Sequence, residues 1–91
     1  MYHLVPPCIY NPPQNLALKD GMYARFYCEA SGEPPPTISW ENFGSTLLKN
    51  TKELRIDKVN ISHVGAFVCI ADSGGKKVKK VAFLSVDGIY G

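Results

Sequence analysis

The chain has 91 residues, of which 45% are hydrophobic and 20% charged. These values suit one folded domain and exclude both a two-domain protein and a disordered chain. No apolar run approaches the ~18 residues of a membrane span, so we expect no direct membrane insertion by this chain. Residues 1–10 lack the basic start and apolar core of a signal peptide, so we expect an internal fragment if the parent protein is secreted.

The first half of the chain shows short alternating segments separated by proline and glycine. Four of the seven prolines lie within residues 2–13, which predicts an edge or linker segment with a short first strand at residues 8–10. An edge strand is expected at residues 15–19. A longer strand is expected at residues 22–30, with Cys28 on its inward face and two tyrosines, Tyr23 and Tyr27, facing outward. The segment SGEPPP at residues 31–36 is predicted to be an extended loop and not a strand.

The second half continues the same alternation. Strands are predicted at 37–41 and 53–57, with a loop holding at most one short strand at 42–51 and a tight connection at 60–64. A strand at 65–71 points Phe67 and Cys69 inward, and residues 72–75 predict a hairpin turn before a last strand at 76–86. No segment has a helical period, so the predicted fold class is all-β.

Several spaced elements together resemble the I-set immunoglobulin domain over residues 5–86. They are Gly21, Cys28, Ala30-Ser31-Gly32-Glu33-Pro34, Ile38-x-Trp40, Leu54-x-Ile56-x-x-Val59 and Gly65-x-Phe67-x-Cys69-x-Ala71. The resemblance implies an immunoglobulin-like β-sandwich of two antiparallel sheets, with a Cys28–Cys69 disulfide across the core and Trp40 packed on it. Residues 1–4 and 87–91 are then expected to be linkers.

The sequence departs from the usual pattern of this family at three places. Phe67 stands where the family usually has a tyrosine, and a tyrosine hydroxyl bond there is worth roughly 1 kcal/mol. His63 stands where an acid often forms an ion pair. The segment from Trp40 to Leu54 is also short, so we expect one of two short strands there to be missing. The core is therefore expected to depend strongly on Trp40, Phe67 and the disulfide.

The cysteines allow two interpretations. A disulfide between Cys28 and Cys69 would close a loop of about 40 residues and would stabilise the fold by roughly 4 kcal/mol. It would also indicate an oxidising compartment. The alternative is a pair of buried reduced thiols in an intracellular domain. Cys8 is left unpaired, and it is expected either to bond another domain or chain or to be a free thiol.

The family resemblance implies binding or spacing and no enzymatic activity. The first hypothesis is an extracellular module for protein binding or cell adhesion, homophilic contact included, within a larger receptor or adhesion protein. The alternative is a structural spacer domain, intracellular and muscle-like, with reduced cysteines. His3 and His63 have no partners at metal-ligand spacing, so no catalytic residue, metal or cofactor is predicted. Asn60-Ile61-Ser62 matches the N-glycosylation pattern, although an unmodified turn residue is the alternative.

The clearest surface signal is a group of four lysines after the last predicted turn, Lys76, Lys77, Lys79 and Lys80. This basic hairpin is predicted to attract an acidic glycan, an anionic lipid or an acidic protein. The alternative is that the lysines only prevent edge-to-edge strand pairing. Nucleic acid is not an expected partner, because no aromatic residue alternates with the lysines to stack on bases.

Overall fold

A computed structural model describes residues 4–42 and 45–87. Within this part the chain forms nine strands and one short 3-10 turn, Ile61–His63. The strands are β1 (Val5–Asn11), β2 (Leu16–Lys19), β3 (Ala24–Tyr27), β4 (Glu29–Glu33), β5 (Thr37–Asn42), β6 (Ser45–Lys49), β7 (Glu53–Ile56), β8 (Gly65–Ser73) and β9 (Lys76–Asp87). The fold is therefore all-β, as predicted.

The strands form two layers. One layer is a five-stranded sheet in the order β2-β9-β8-β5-β6. The other contains the pairs β3-β7 and β1-β4, which are joined because β3 and β4 are consecutive and separated only by Cys28. Pairing is antiparallel except between β2 and β9, which run parallel. The expectation of two wholly antiparallel sheets was therefore wrong at this edge.

The core lies between the layers and is built from the inward side chains of both. Phe26 of β3 stacks on Phe67 of β8 with 5.0 Å between ring centroids and lies 6.3 Å from the ring of Trp40. Burying each such side chain stabilises the fold by roughly 1.5–3 kcal/mol. The other buried apolar residues around these rings are Ala24, Cys28, Ile38, Leu54, Val59, Cys69, Ala71, Ala82, Leu84 and Val86.

A disulfide joins Cys28 and Cys69 across this core, with 6.5 Å between their Cα atoms. Trp40 is fully buried and lies opposite Cys69 in the β5-β8 pairing. Its indole Nε1 donates a hydrogen bond of 3.1 Å to the carbonyl of Thr51, so the one polar atom of the ring is satisfied. The predicted inter-sheet disulfide is confirmed, and Trp40 lies buried beside Cys69.

The pair formed by β1 and β4 differs from the prediction. β1 begins at Val5 and includes Pro6 and Pro7, and β4 continues to Glu33 through a segment expected to be a loop. The prolines are tolerated because, in residues 4–42 and 45–87, β1 pairs only with β4 and its register shifts between Val5 and Cys8. Gly32 permits the pairing, since a Cβ there would lie 3.1 Å from the Cα of Pro7.

Three other boundaries differ from the prediction. The predicted strand at residues 22–30 is divided at Cys28, because β3 pairs with β7 and β4 with β1. The predicted turn at 72–75 reduces to Gly74 and Gly75, both at positive φ, as a two-residue hairpin turn requires. Asp87, expected in the exit linker, ends β9 and pairs with Lys19 of β2.

The predicted shortening of the middle segment is visible beside the core. In the described part of the chain, β6 is the only strand between β5 and β7, which agrees with the prediction of one missing strand. Among the residues that the structure describes, β6 pairs only with β5, and β7 pairs only with β3. Each of these two strands therefore has one edge without a partner strand in the described part of the chain.

Candidate interaction surface

The structure separates the four lysines of the basic hairpin. Side chains alternate along β9, and Ala82, Leu84 and Val86 point into the core. Lys76 and Lys80 share their side of the strand, whereas Lys77 and Lys79 lie on the outer face of the five-stranded sheet. All four are exposed. The hairpin thus presents two basic pairs in opposite directions and not one continuous cluster.

The outer face of the five-stranded sheet carries an apolar group that the sequence analysis missed. Val81 and Phe83 alternate with the core residues of β9 and are 47% and 57% exposed. Val81 pairs with Val68 and Phe83 with Ala66 on β8. We call these four residues the outer-face patch. The signal was present in the sequence, because apolar residues occupy both the inward and the outward positions in the second half of the last predicted strand.

Charged side chains of both signs surround the outer-face patch. Glu41 is the neighbour of Val68 on β5, and Lys79 is the neighbour of Ile70 on β8. Lys77 lies opposite Asp72, at a shallow cleft of about 300 Å³. An apolar centre with a mixed polar rim is the usual anatomy of a protein contact surface.

The opposite face of the sandwich holds a compact cluster of charges and aromatic rings on β3 and β7. Glu53 bonds Arg25 and lies 3.8 Å from the guanidinium of Arg55. The hydrogen bond and the negative charge of Glu53 raise the pKa of Arg25. The two guanidiniums also lie over tyrosine rings, Arg25 at 5.0 Å from Tyr27 and Arg55 at 5.1 Å from Tyr23. Both tyrosines are thus on the outward side, where the alternation placed them.

The remaining predicted residues lie at separate places. The side-chain oxygen of Asn60 accepts a hydrogen bond of 2.9 Å from the backbone of Ser62. The backbone N–H of Asn60 donates to Nδ1 of His63 at 3.0 Å. These bonds cap the 3-10 turn, and they give His63 a structural role in place of the family's usual ion pair. Cys8 is exposed on β1 and is not disulfide-bonded within the described residues.

The described residues do not suggest other kinds of site. Among them, no three His, Cys, Asp or Glu side chains are grouped so that they could hold a metal ion. They also contain no helix that is long and apolar enough to cross a bilayer. His3 lies outside the described residues.

Two packed sheets joined by a buried disulfide over a tryptophan define an immunoglobulin-type domain. Residues 6–73 match the family model described as Immunoglobulin domain. Since this match covers most of the chain, the chain belongs to the immunoglobulin domain family, as the resemblance predicted.

Known proteins that are similar to this chain contain related domains. Roundabout homolog 1 of Mus musculus is 34% identical over 86 residues, covering 88% of this chain and 5% of that protein. The chain thus spans only a small part of that relative. A chain from the crystal structure of Dpr2 Ig1-Ig2 in complex with DIP-Theta Ig1-Ig3 is 32% identical, with a TM-score of 0.80 and coverage of 91% and 32% of the two chains. A chain of the Titin M10-Obscurin like 1 Ig complex has the same fold, with a TM-score of 0.86, 24% identity and coverage of 96% and 99%.

Proposed function

We propose that this domain is a non-catalytic, extracellular binding module of a larger receptor or adhesion protein, and that the outer-face patch contacts its protein partner. The observation that carries the proposal is the exposure of Val81 and Phe83 side by side on one strand. An aromatic ring left in water on a sheet face loses the stabilisation that burial would give it. A partner that covers the patch recovers this free energy.

A protein complex that contains a similar chain supports the proposal. The crystal structure with that chain holds Dpr2 in complex with DIP-Theta. The disulfide supports the extracellular setting, because such bonds persist in oxidising compartments. The mixed charges at the rim of the patch, such as Glu41 and Lys79, favour a partner whose own rim carries both signs.

The alternative is an intracellular spacer domain whose cysteines are reduced. The mass of the natural protein, measured without reduction, distinguishes the two. The proposal expects a mass lower by two hydrogens for the peptide pair containing Cys28 and Cys69. Free thiols at both positions would instead support the spacer function.

The binding surface itself is tested with a multimerised domain probed against an array of secreted and cell-surface ectodomains, this domain included. We expect at least one protein to bind the unaltered domain and to lose binding to Phe83→Asp. Lys52→Glu is the matched control, because Lys52 is exposed and its ammonium lies 3.7 Å from Glu29 in the opposite layer. Equal loss in both variants, or none in Phe83→Asp, would contradict a contact through the outer-face patch.

A second candidate function is binding of an acidic glycan at the basic hairpin. The specific observation is that Lys77 and Lys79 are exposed on the same face as the outer-face patch and form no ion pair among the described residues. Their charges are therefore available to a sulfated or carboxylated chain.

A further inference from the structure

An apolar cleft of about 290 Å³ opens between β6, the edge strand of the five-stranded sheet, and β7, which lies in the other layer. Leu47 and Leu48 of β6 line one wall and are 42% and 40% exposed. Leu54 and Ile56 of β7 line the other wall, and the ring of Phe67 lies in its lining. The cleft therefore leads from solvent to the core. Aliphatic side chains from both layers line it, together with the polar residues Asn42, Arg55, Ser62 and His63.

Backbone groups at the rim of this cleft are free to pair with another strand. Within the described residues, β7 pairs on one side only, with β3. The N–H of Cys28 donates to the carbonyl of Lys52 at 2.9 Å, so in this antiparallel pair every second residue of β7 bonds β3. By that alternation Leu54 and Ile56 bond β3, and the N–H and C=O of Arg55 point toward the open edge.

The charges beside that edge favour an acidic neighbour. Two guanidiniums, those of Arg25 and Arg55, share the single carboxylate of Glu53. Arg25 holds the hydrogen bond to this carboxylate, while Arg55 remains at 3.8 Å. A carboxylate placed beside Arg55 on an adjacent strand would complete an opposite-charge pair across the two strands.

We propose that an extended peptide adds as a strand to the open edge of β7. Its acidic residue lies opposite Arg55 and exchanges backbone hydrogen bonds with it. The residues before and after the acid are apolar and point into the cleft between Leu48 and Leu54, since side chains alternate across a strand. The partner recognised here is therefore a segment of the pattern apolar–acidic–apolar.

A second copy of this domain fits the edge less well than a peptide does. Two β7 strands paired about Leu54 would place Arg55 of one copy opposite Glu53 of the other. The N–H of Glu53 already bonds the hydroxyl of Thr51 at 3.3 Å, and its carbonyl accepts from that hydroxyl at 3.1 Å. These groups would have to be released before the two copies could pair.

The probe is the labelled peptide Thr-Leu-Glu-Val-Thr with blocked ends, titrated into the 15N-labelled oxidised domain. We expect amide shift changes concentrated at Arg55 and along the cleft. Methylating the backbone nitrogen of the peptide glutamate should weaken binding about tenfold, because that N–H faces β7. Methylating the valine nitrogen, which faces away, should leave affinity unchanged. Equal effects of the two methyl groups would overturn strand addition.

Charge exchange gives an independent test. Arg55→Glu should weaken binding of the glutamate peptide about fivefold and should favour a peptide with lysine at the same position. Lys19→Glu, a charge reversal at an exposed position of β2 in the other sheet, should bind as the unaltered domain does. Absence of shift changes near β7 at millimolar peptide would overturn the proposal, as would self-association that occupies this edge. Neither result would affect the outer-face patch, which the ectodomain array tests separately.

Discussion

The rings of Phe26 and Phe67 stack at 5.0 Å between centroids with 25° between their planes, and each comes from a different layer of the sandwich. This contact lies beside the disulfide and joins the two sheets without a covalent bond. Phe67 therefore supports the core through its ring, although it lacks the hydroxyl that the family usually has at this position.

Replacing Phe67 with alanine should lower the free energy of unfolding by about 3–5 kcal/mol, because the lost ring leaves a cavity between the sheets. Urea denaturation of the oxidised protein measures this change. The matched control is Phe83→Ala on the exposed face, for which we expect a change within about 0.5 kcal/mol. Similar losses in both variants would show that burial does not distinguish the two rings.

Gly32→Ala should lower the free energy of unfolding by about 1–3 kcal/mol, since the new methyl group would crowd rigid backbone where β4 pairs with β1. Its nearest neighbours would be the Cα of Pro7 at 3.1 Å and the carbonyl of Val5 at 3.2 Å. Thermal unfolding and amide exchange on β1 and β4 measure the effect. Ser31→Ala, at an exposed position of the same strand, should have little effect, and a neutral Gly32→Ala would disprove the close approach.

The two pairs of lysines should differ in their contribution to heparin binding. Lys77→Ala with Lys79→Ala should lower the salt concentration needed for elution from a heparin column more than Lys76→Ala with Lys80→Ala. The net charge lost is the same in both double variants, so a difference reports the position of the charges. Identical elution of the two would leave only a general electrostatic effect. Unchanged retention in both would mean that the lysines serve to discourage strand pairing.

Asn60 should carry a glycan when the domain passes through a secretory pathway. The structure uses its side-chain oxygen to cap the turn, and the residue is exposed, which leaves the amide nitrogen accessible. Intact mass before and after enzymatic deglycosylation measures occupancy. Ser62→Thr should keep the modification and Ser62→Ala should abolish it. An unmodified protein from secreting cells would identify Asn60 as a capping residue alone.

Much of this fold could be predicted because alternation and turn residues are local signals. The positions of Trp40, Cys69 and the inward residues of β9 follow directly from a period of two. The path of β4 could not be predicted in this way, because Gly32 and the prolines that follow β4 favour a loop, and only the pairing with β1 makes residues 31–33 a strand. Tertiary contact there overrode local preference.

The candidate surfaces were less predictable for the same reason. The lysines form one run in sequence, although the period of two that sets the inward residues of β9 also places Lys77 and Lys80 on opposite sides of the strand. The cleft beside Leu48 depends on where β6 and β7 lie in different sheets, which no pattern within either strand reveals. Exposed apolar residues such as Phe83 were visible in the sequence, but only the pairing of β9 with β8 shows that Val81 and Phe83 lie beside Val68 and Ala66.

The parallel pairing of β2 with β9 has a mechanical consequence. Leu16 to Lys19 lie beside Leu84 to Asp87 in register, with β2 entering near the start of the chain and β9 ending the sandwich. Tension applied between the two ends would slide these strands past each other along their length. The backbone hydrogen bonds between them would then be loaded together and not opened one after another. Such an arrangement should resist unfolding under tension more strongly than a pair of strands whose hydrogen bonds open one at a time.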